Sequence, residues 1–179
     1  MHNSSKYHPL QAMLHWLTLW LLVAVYVLIE FKGIYPKGSE PRELMKHWHF
    51  MLGALVLVVT LVRLVLRAKF PAPAITPNPP AWMSALAKLM HVALYAFLIA
   101  MPVLGWLTLN AHGKAVPFFG LELPHLIDEN KELGKQLKEM HETLGKVGYA
   151  LIGLHALAAI YHHALIKDDT LTRMMPWKK

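Results

Sequence analysis

The chain contains no cysteine. This absence excludes disulfides, iron–sulfur clusters held by cysteine, covalently attached c-type haem and catalysis by a thiol. Metal sites with thiolate ligands are excluded as well. A metal centre in this protein therefore has to be built without cysteine sulfur.

Charged residues are also scarce, at 16% of the 179 residues against 55% hydrophobic residues. Four apolar runs lie at about 10–31, 43–67, 81–110 and 139–166. Each run is long enough to cross ~30 Å of hydrocarbon. The sequence therefore predicts one all-α domain over residues 1–179, an integral membrane bundle of four transmembrane helices. The net charge of +7 comes from loops and tails, which favours membrane lipid as a partner over nucleic acid.

Histidine, by contrast, is abundant, with twelve residues in this apolar chain. A histidine within a membrane-length segment is costly and by default marks function. His141 and His155 lie in the fourth run, fourteen residues apart. Helical steps of about 100° bring both imidazoles to nearly the same face, about 21 Å apart along the axis. This spacing favours two metal centres at two depths of one membrane.

The direction of the spans pairs these histidines with two others. His15 lies near the start of the first run, and His49 lies near the start of the second, on the opposite side of the membrane. Because the spans alternate in direction, His49 should share the depth of His141, and His15 that of His155. Each pair predicts one haem b with two axial histidines, held between facing helices.

Small residues follow three of these histidines by one helical turn, as a flat macrocycle beside its ligand requires. They are Gly53, Gly145 and Ala159. Arg63 and Arg67 lie towards the end of the second run. They are interpreted either as contacts for haem propionates or as a basic flank that anchors the span.

Two further histidines are candidates for a role in the sites. His162 lies seven residues after His155 on almost the same face, so it is an alternative ligand, or a contact for a propionate, water or quinone. His91 lies near the start of the third run and has no partner left at its depth. It is expected either to contact a propionate or a quinone oxygen, or simply to pack and hydrogen-bond. His47 is interpreted as an interfacial residue.

Several motifs resemble the bacterial cytochrome b561 family over nearly the whole chain. They are LHW at 14–16, HxxxG at 49–53, MPVLG at 101–105, HETLGKVGYALIGLHA at 141–156 and YHHALIKDDTLTRMMP at 161–176. The resemblance implies two haems b on four helices, with iron bound by His15, His49, His141 and His155. It also implies a multi-pass protein of the bacterial inner membrane with both termini cytoplasmic. Lys and Arg are divided equally between the two sides, so orientation rests on the resemblance.

The expected function is electron transfer. Two axial histidines leave no open position on iron, which favours outer-sphere transfer over oxygen binding. The resemblance implies ubiquinone as acceptor, and compact members of this type resemble superoxide oxidases. Superoxide is therefore the first choice of donor at the periplasmic face, where Arg42, Lys46 and Lys114 would attract an anion.

Two alternatives remain at this point. The chain could instead be a haem b subunit that relays electrons from a redox partner protein, such as a separate dehydrogenase or hydrogenase. A histidine-lined metal transporter is disfavoured, because transport ligands gather at one depth whereas these histidines occupy two. The sequence leaves open whether the chain forms a homodimer.

Overall fold

Four long helices dominate the computed structural model, which describes residues 6–175. They are α1 (Pro9–Phe31), α2 (Glu40–Lys69), α3 (Ala81–Ala111) and α4 (Lys131–Tyr161). All four are long and apolar enough to cross a membrane, which confirms the expected four-helix membrane bundle. Residues 1–5 and 176–179 of the expected single domain, with Pro176 of the last motif, lie outside the described residues.

The helix ends follow local sequence signals. In α2, acidic residues occupy the first turn and basic residues the last, as the helix dipole favours. The side chain of Asn130 caps α4 by accepting a hydrogen bond from the Leu133 N–H at 3.0 Å. The helix that starts there includes the polar lead-in at 131–138. Helix α4 therefore begins several residues before the apolar run expected at 139–166.

The helices pack in chain order, α1 on α2, α2 on α3 and α3 on α4. The backbone of α4 makes little contact with α1 or α2, so a cleft runs between α4 and these two helices. A small core lies among the first three helices, formed by Leu21, Val56, Val59 and Leu98. Large apolar side chains cover the outside, such as Trp20 at 67% exposure. Such a surface suits hydrocarbon rather than water.

A β-hairpin interrupts the long connection between α3 and α4. Its strands, β1 (Val116–Phe118) and β2 (Leu121–Leu123), pair antiparallel. The hairpin lies against α2, where the Phe119 N–H donates to Met51 Sδ at 3.1 Å. These strands were not expected from the sequence, because three residues are too few to show a period of two. The hairpin covers α2 close to His49.

The chain after α4 folds back onto the end of the bundle where α1 begins. A π-helical turn, His162–Ile166, is followed by residues 168–174, here called the C-terminal clasp. The Asp169 N–H donates to the Thr76 carbonyl at 3.1 Å. The indole N–H of Trp16 donates to the Met174 carbonyl at 2.9 Å. The clasp thus joins α4, the α2–α3 connector and the residue next to His15.

Candidate functional site

His49 and His141 face each other across the cleft at the hairpin end of the bundle. Their ring centroids lie 6.3 Å apart, with an interplanar angle of 80°. His49 Nδ1 lies 2.9 Å from the Val25 carbonyl. A carbonyl can only accept, so in a neutral His49 ring Nδ1 carries the proton and Nε2 keeps a free lone pair. This is the arrangement that second-sphere carbonyls impose on metal-binding histidines.

His15 and His155 face each other at the other end of the cleft. Their ring centroids lie 6.1 Å apart at an angle of 64°. His91 joins them, with its ring centroid 5.6 Å from that of His155. His91 Nδ1 lies 2.6 Å from the Ala87 carbonyl, so a neutral His91 ring also has a free Nε2. The structure therefore gathers three imidazoles here, where the span directions alone had paired two.

The ring separations suit one metal ion between each pair. Two imidazoles that bind one ion from opposite sides, with bonds of about 2 Å, have ring centroids ~6 Å apart. Within residues 6–175, no group of three or more metal-ligating side chains forms a metal site. An ion held by either pair would take two imidazole ligands from the protein, and a group such as a porphyrin would fill its other positions.

The surroundings of these rings leave room for a flat ligand. A Cβ added at Gly53, one turn after His49, would meet nothing within 4 Å. One added at Gly145, one turn after His141, would meet only Met101 Cε, at 3.6 Å. Gly105 of α3 packs on His141, since its Cβ would lie 3.3 Å from Cε1 of that ring. Nδ1 of His141 is buried without a hydrogen bond of good geometry.

Of the two arginines near the end of α2, Arg63 contacts a histidine of the pairs, whereas Arg67 contacts Tyr7. The guanidinium of Arg63 donates to Thr18 Oγ1 at 3.0 Å and lies 3.2 Å from His15 Nδ1. A guanidinium only donates, so Nδ1 of His15 is the acceptor in this contact. If Nε2 of His15 held a metal ion, the ring proton would be on Nδ1 and Arg63 would have to shift. Arg67 instead lies over the Tyr7 ring, 6.0 Å from its centroid.

His162 forms a pair with a carboxylate that the sequence analysis did not single out. His162 Nδ1 lies 2.5 Å from Asp168 Oδ2, and the Asp168 side chain is fully buried. The backbone N–H of Thr170 donates to Asp168 Oδ1 at 2.9 Å. Burial raises the pKa of the Asp168 carboxyl, but hydrogen bonds from His162 and Thr170 outweigh it and hold that pKa below its ordinary value. In the sequence, only the short distance of six residues between His162 and Asp168 indicated that the two side chains could pair.

A family described as prokaryotic cytochrome b561 matches residues 6–177. The chain belongs to the prokaryotic cytochrome b561 family. It is 38% identical to cytochrome b561 homolog 1 of Escherichia coli over 98% of this chain and 99% of that protein. It is 39% identical to a probable superoxide oxidase, CybB, of Yersinia pestis over 100% of this chain and 99% of that protein. Cytochrome b561 homolog 2 of Escherichia coli is 27% identical over 97% of this chain and 93% of that protein.

Membership of the cytochrome b561 family confirms the broad expectations from the sequence. The protein is a membrane electron carrier with b-type haem and oxidoreductase character, and it crosses the bacterial inner membrane several times. The donor set fits this cofactor, because the chain offers paired imidazoles without thiolates and open space beside Gly53 and Gly145. When bound, haem supplies the one-electron chemistry, and the protein supplies ligation, orientation and polarity.

Proposed function

We propose that this protein oxidises superoxide at the periplasmic face and passes the electrons through two haems b to ubiquinone. His49 and His141 would hold one haem, and His15 and His155 the other. Two superoxide ions lose one electron each and become dioxygen; one ubiquinone takes up both electrons and two protons and becomes ubiquinol. Both termini would lie in the cytoplasm.

The observation that carries this proposal is the position of the two histidine pairs. The pairs share α4, fourteen residues apart, so that about 21 Å of helix separates them along the axis. This distance covers most of the ~30 Å thickness of the hydrocarbon. Two redox centres at these depths suit a route from one face to the other, and axial ligation on both sides suits transfer without oxygen binding.

A pocket beside the His49 end supports a small anionic donor. It has a volume of about 390 Å³ and lies between α2, α3 and the hairpin. Lys46, Lys114 and His47 contribute to its wall together with Glu43 and Glu122. Lys46 is paired with Glu43 at 2.6 Å, whereas Lys114 makes none of the ion pairs found in residues 6–175. Lys114 is therefore the cation most available to an entering anion.

The His162–Asp168 pair supports quinone chemistry at the opposite end. Reduction of a quinone consumes protons as well as electrons, so a titratable pair beside the redox centre is useful there. His162 follows α4 on the side of His155, and its Nδ1 is held by the buried Asp168. We propose His162 and His91 as the side chains that contact the quinone or a haem propionate, and Arg63 as a further propionate contact.

Rapid mixing with superoxide tests this proposal. We expect the haems of the oxidised protein to be reduced rapidly, and ubiquinol to form when a ubiquinone analogue is present. Lys114→Glu should slow haem reduction at low salt, because it reverses a charge in the pocket wall. Lys135→Glu is the matched control, an exposed lysine at the same end of the bundle but outside that pocket.

Two other outcomes would contradict the proposal. Haems that stay oxidised under superoxide, but are reduced when a partner dehydrogenase or hydrogenase is added, would replace this proposal by the relay-subunit alternative. A purified protein with no b-type absorption bands would contradict both.

A further inference from the structure

Gly148 lies at the centre of the cleft, midway between the two histidines of α4. It follows His141 by seven residues and precedes His155 by seven. Seven residues make nearly two full helical turns, so all three residues share one face of α4. Gly148 is buried there, although most of α4 around it is not.

Two aromatic side chains fill the space in front of Gly148. A Cβ added at this position would lie 2.3 Å from Cζ of Phe97 and 2.3 Å from Oη of Tyr26. Such distances leave no room even for a methyl group. Phe97 comes from α3 and packs on the core, and Tyr26 comes from α1 across the cleft.

Tyr26 also fastens α1 to α4 at this level. Its hydroxyl donates to the Gly145 carbonyl at 2.7 Å, and its ring lies 4.5 Å from that of Tyr149. Elsewhere the backbones of α1 and α4 make little contact. The aromatic layer is therefore a local closure of a cleft that is open at the level of each histidine pair.

We propose that Tyr26, Phe97 and Gly148 form a partition that separates the two haem sites and sets the distance and mutual orientation of the two haems. This inference rests on the proposed binding of two haems. The bare backbone at Gly148 lets both aromatic rings reach α4, where they would block a porphyrin from sliding along the cleft. The partition is the protein medium between the two redox centres.

Gly148→Ala tests the partition directly. Its methyl group must displace Phe97 and Tyr26, and so shift the boundary of both sites. Gly153→Ala is the matched control, because Gly153 lies on the opposite face of α4 and a Cβ there meets nothing within 4 Å. The readouts are the haem-to-protein ratio and the Soret circular dichroism. Two haems held close together couple their transitions into a two-signed band, whose shape depends on their distance and angle.

We expect the wild type and Gly153→Ala to hold two haems and to share one Soret couplet. Gly148→Ala should lose the couplet or change its shape. Two further variants, Phe97→Leu and Tyr26→Phe, remove atoms from the layer instead of adding them. Their Soret couplets test the partition even if Gly148→Ala does not fold. Phe97→Leu should change the couplet most, because it removes a whole ring from the layer.

The possible failures are distinguishable. Two haems with an unchanged couplet in Gly148→Ala, or in both Phe97→Leu and Tyr26→Phe, would overturn the partition and leave the proposed function standing. A wild-type protein that holds fewer than two haems would overturn the two-haem proposal itself, and the partition with it.

Discussion

His155 has two imidazole neighbours, His15 at 6.1 Å and His91 at 5.6 Å between ring centroids. The hydrogen bonds of the two rings favour His91 as the partner of His155, whereas the positions of their helices favour His15. His91 has a free Nε2 because its Nδ1 binds a carbonyl, whereas Nδ1 of His15 accepts from Arg63. His15 lies on α1, across the cleft from α4, while His91 lies on α3, which packs along α4. A porphyrin needs the width of the cleft, so His15 is the expected partner.

Substitution of these histidines tests the assignment. His155→Ala should lose one haem and keep the other, because each site has its own two ligands. His15→Ala should lose the same haem, while His91→Ala and His162→Ala should each retain two haems. Pyridine haemochrome analysis of the purified variants measures the ratio of haem to protein. If His91→Ala loses a haem and His15→Ala does not, then His91 is the ligand in place of His15. If His162→Ala loses a haem and His155→Ala does not, then His162 is the ligand in place of His155.

At the scale of elements, a buried carboxylate contributes to holding the segment that follows α4. The C-terminal clasp begins at Asp168, which pairs with His162, and it continues through hydrogen bonds to Thr76 and Trp16. Hydrogen bonds to charged groups contribute about 1.5–3 kcal/mol, roughly a tenfold or larger change in the fraction of open clasp. The clasp should therefore respond to the ionisation of Asp168.

Asp168→Asn is expected to loosen the clasp at neutral pH. In the wild type, a depressed pKa means that the ionised form stabilises the folded clasp above its ordinary pKa of 3.8. That contribution is lost as the pH falls through the lower folded value. A spin label on Met175→Cys, in this cysteine-free chain, reports the mobility of the segment. The label should stay immobile from neutral pH down to about pH 4 and become mobile below it.

Asp128→Asn, in the exposed α3–α4 connection, provides the control for this experiment and should leave the label immobile. Equal mobility at neutral pH in wild type and Asp168→Asn would show that the carboxylate does not hold the clasp.

At the scale of the whole molecule, the two faces of the bundle are chemically distinct. The pocket of Lys114 and the hairpin lie at one end, and the clasp and both described chain ends lie at the other. The equal count of Lys and Arg does not orient the bundle in the membrane. The orientation of the bundle in the membrane therefore has to be measured, by labelling residues at its two ends.

The absence of cysteine permits single-cysteine labelling in spheroplasts. Lys37→Cys lies in the exposed turn between α1 and α2, and Asn78→Cys lies in the connector between α2 and α3. With both termini cytoplasmic, a membrane-impermeant thiol reagent should label Lys37→Cys in intact spheroplasts. It should label Asn78→Cys only after lysis. The reverse pattern would place the pocket of Lys114 in the cytoplasm and exclude periplasmic superoxide as its donor.

The sequence alone determined the number and approximate bounds of the helices, and the shared face and spacing of His141 and His155. It also indicated which histidines lie at equal depths. These properties follow from local periodicity: rise and rotation per residue are nearly constant in a helix, and the length of an apolar run reports whether it crosses a membrane.

Only the tertiary structure decided which side chains meet across the cleft. Arg63 reaches His15 from 48 residues away, and Tyr26 reaches the Gly145 carbonyl from 119 residues away. The buried Asp168 and the third imidazole, His91, also became visible only there. Helix rotation and side-chain packing set such contacts, and a short polar residue at a helix end looks the same in sequence whether it faces water or another helix.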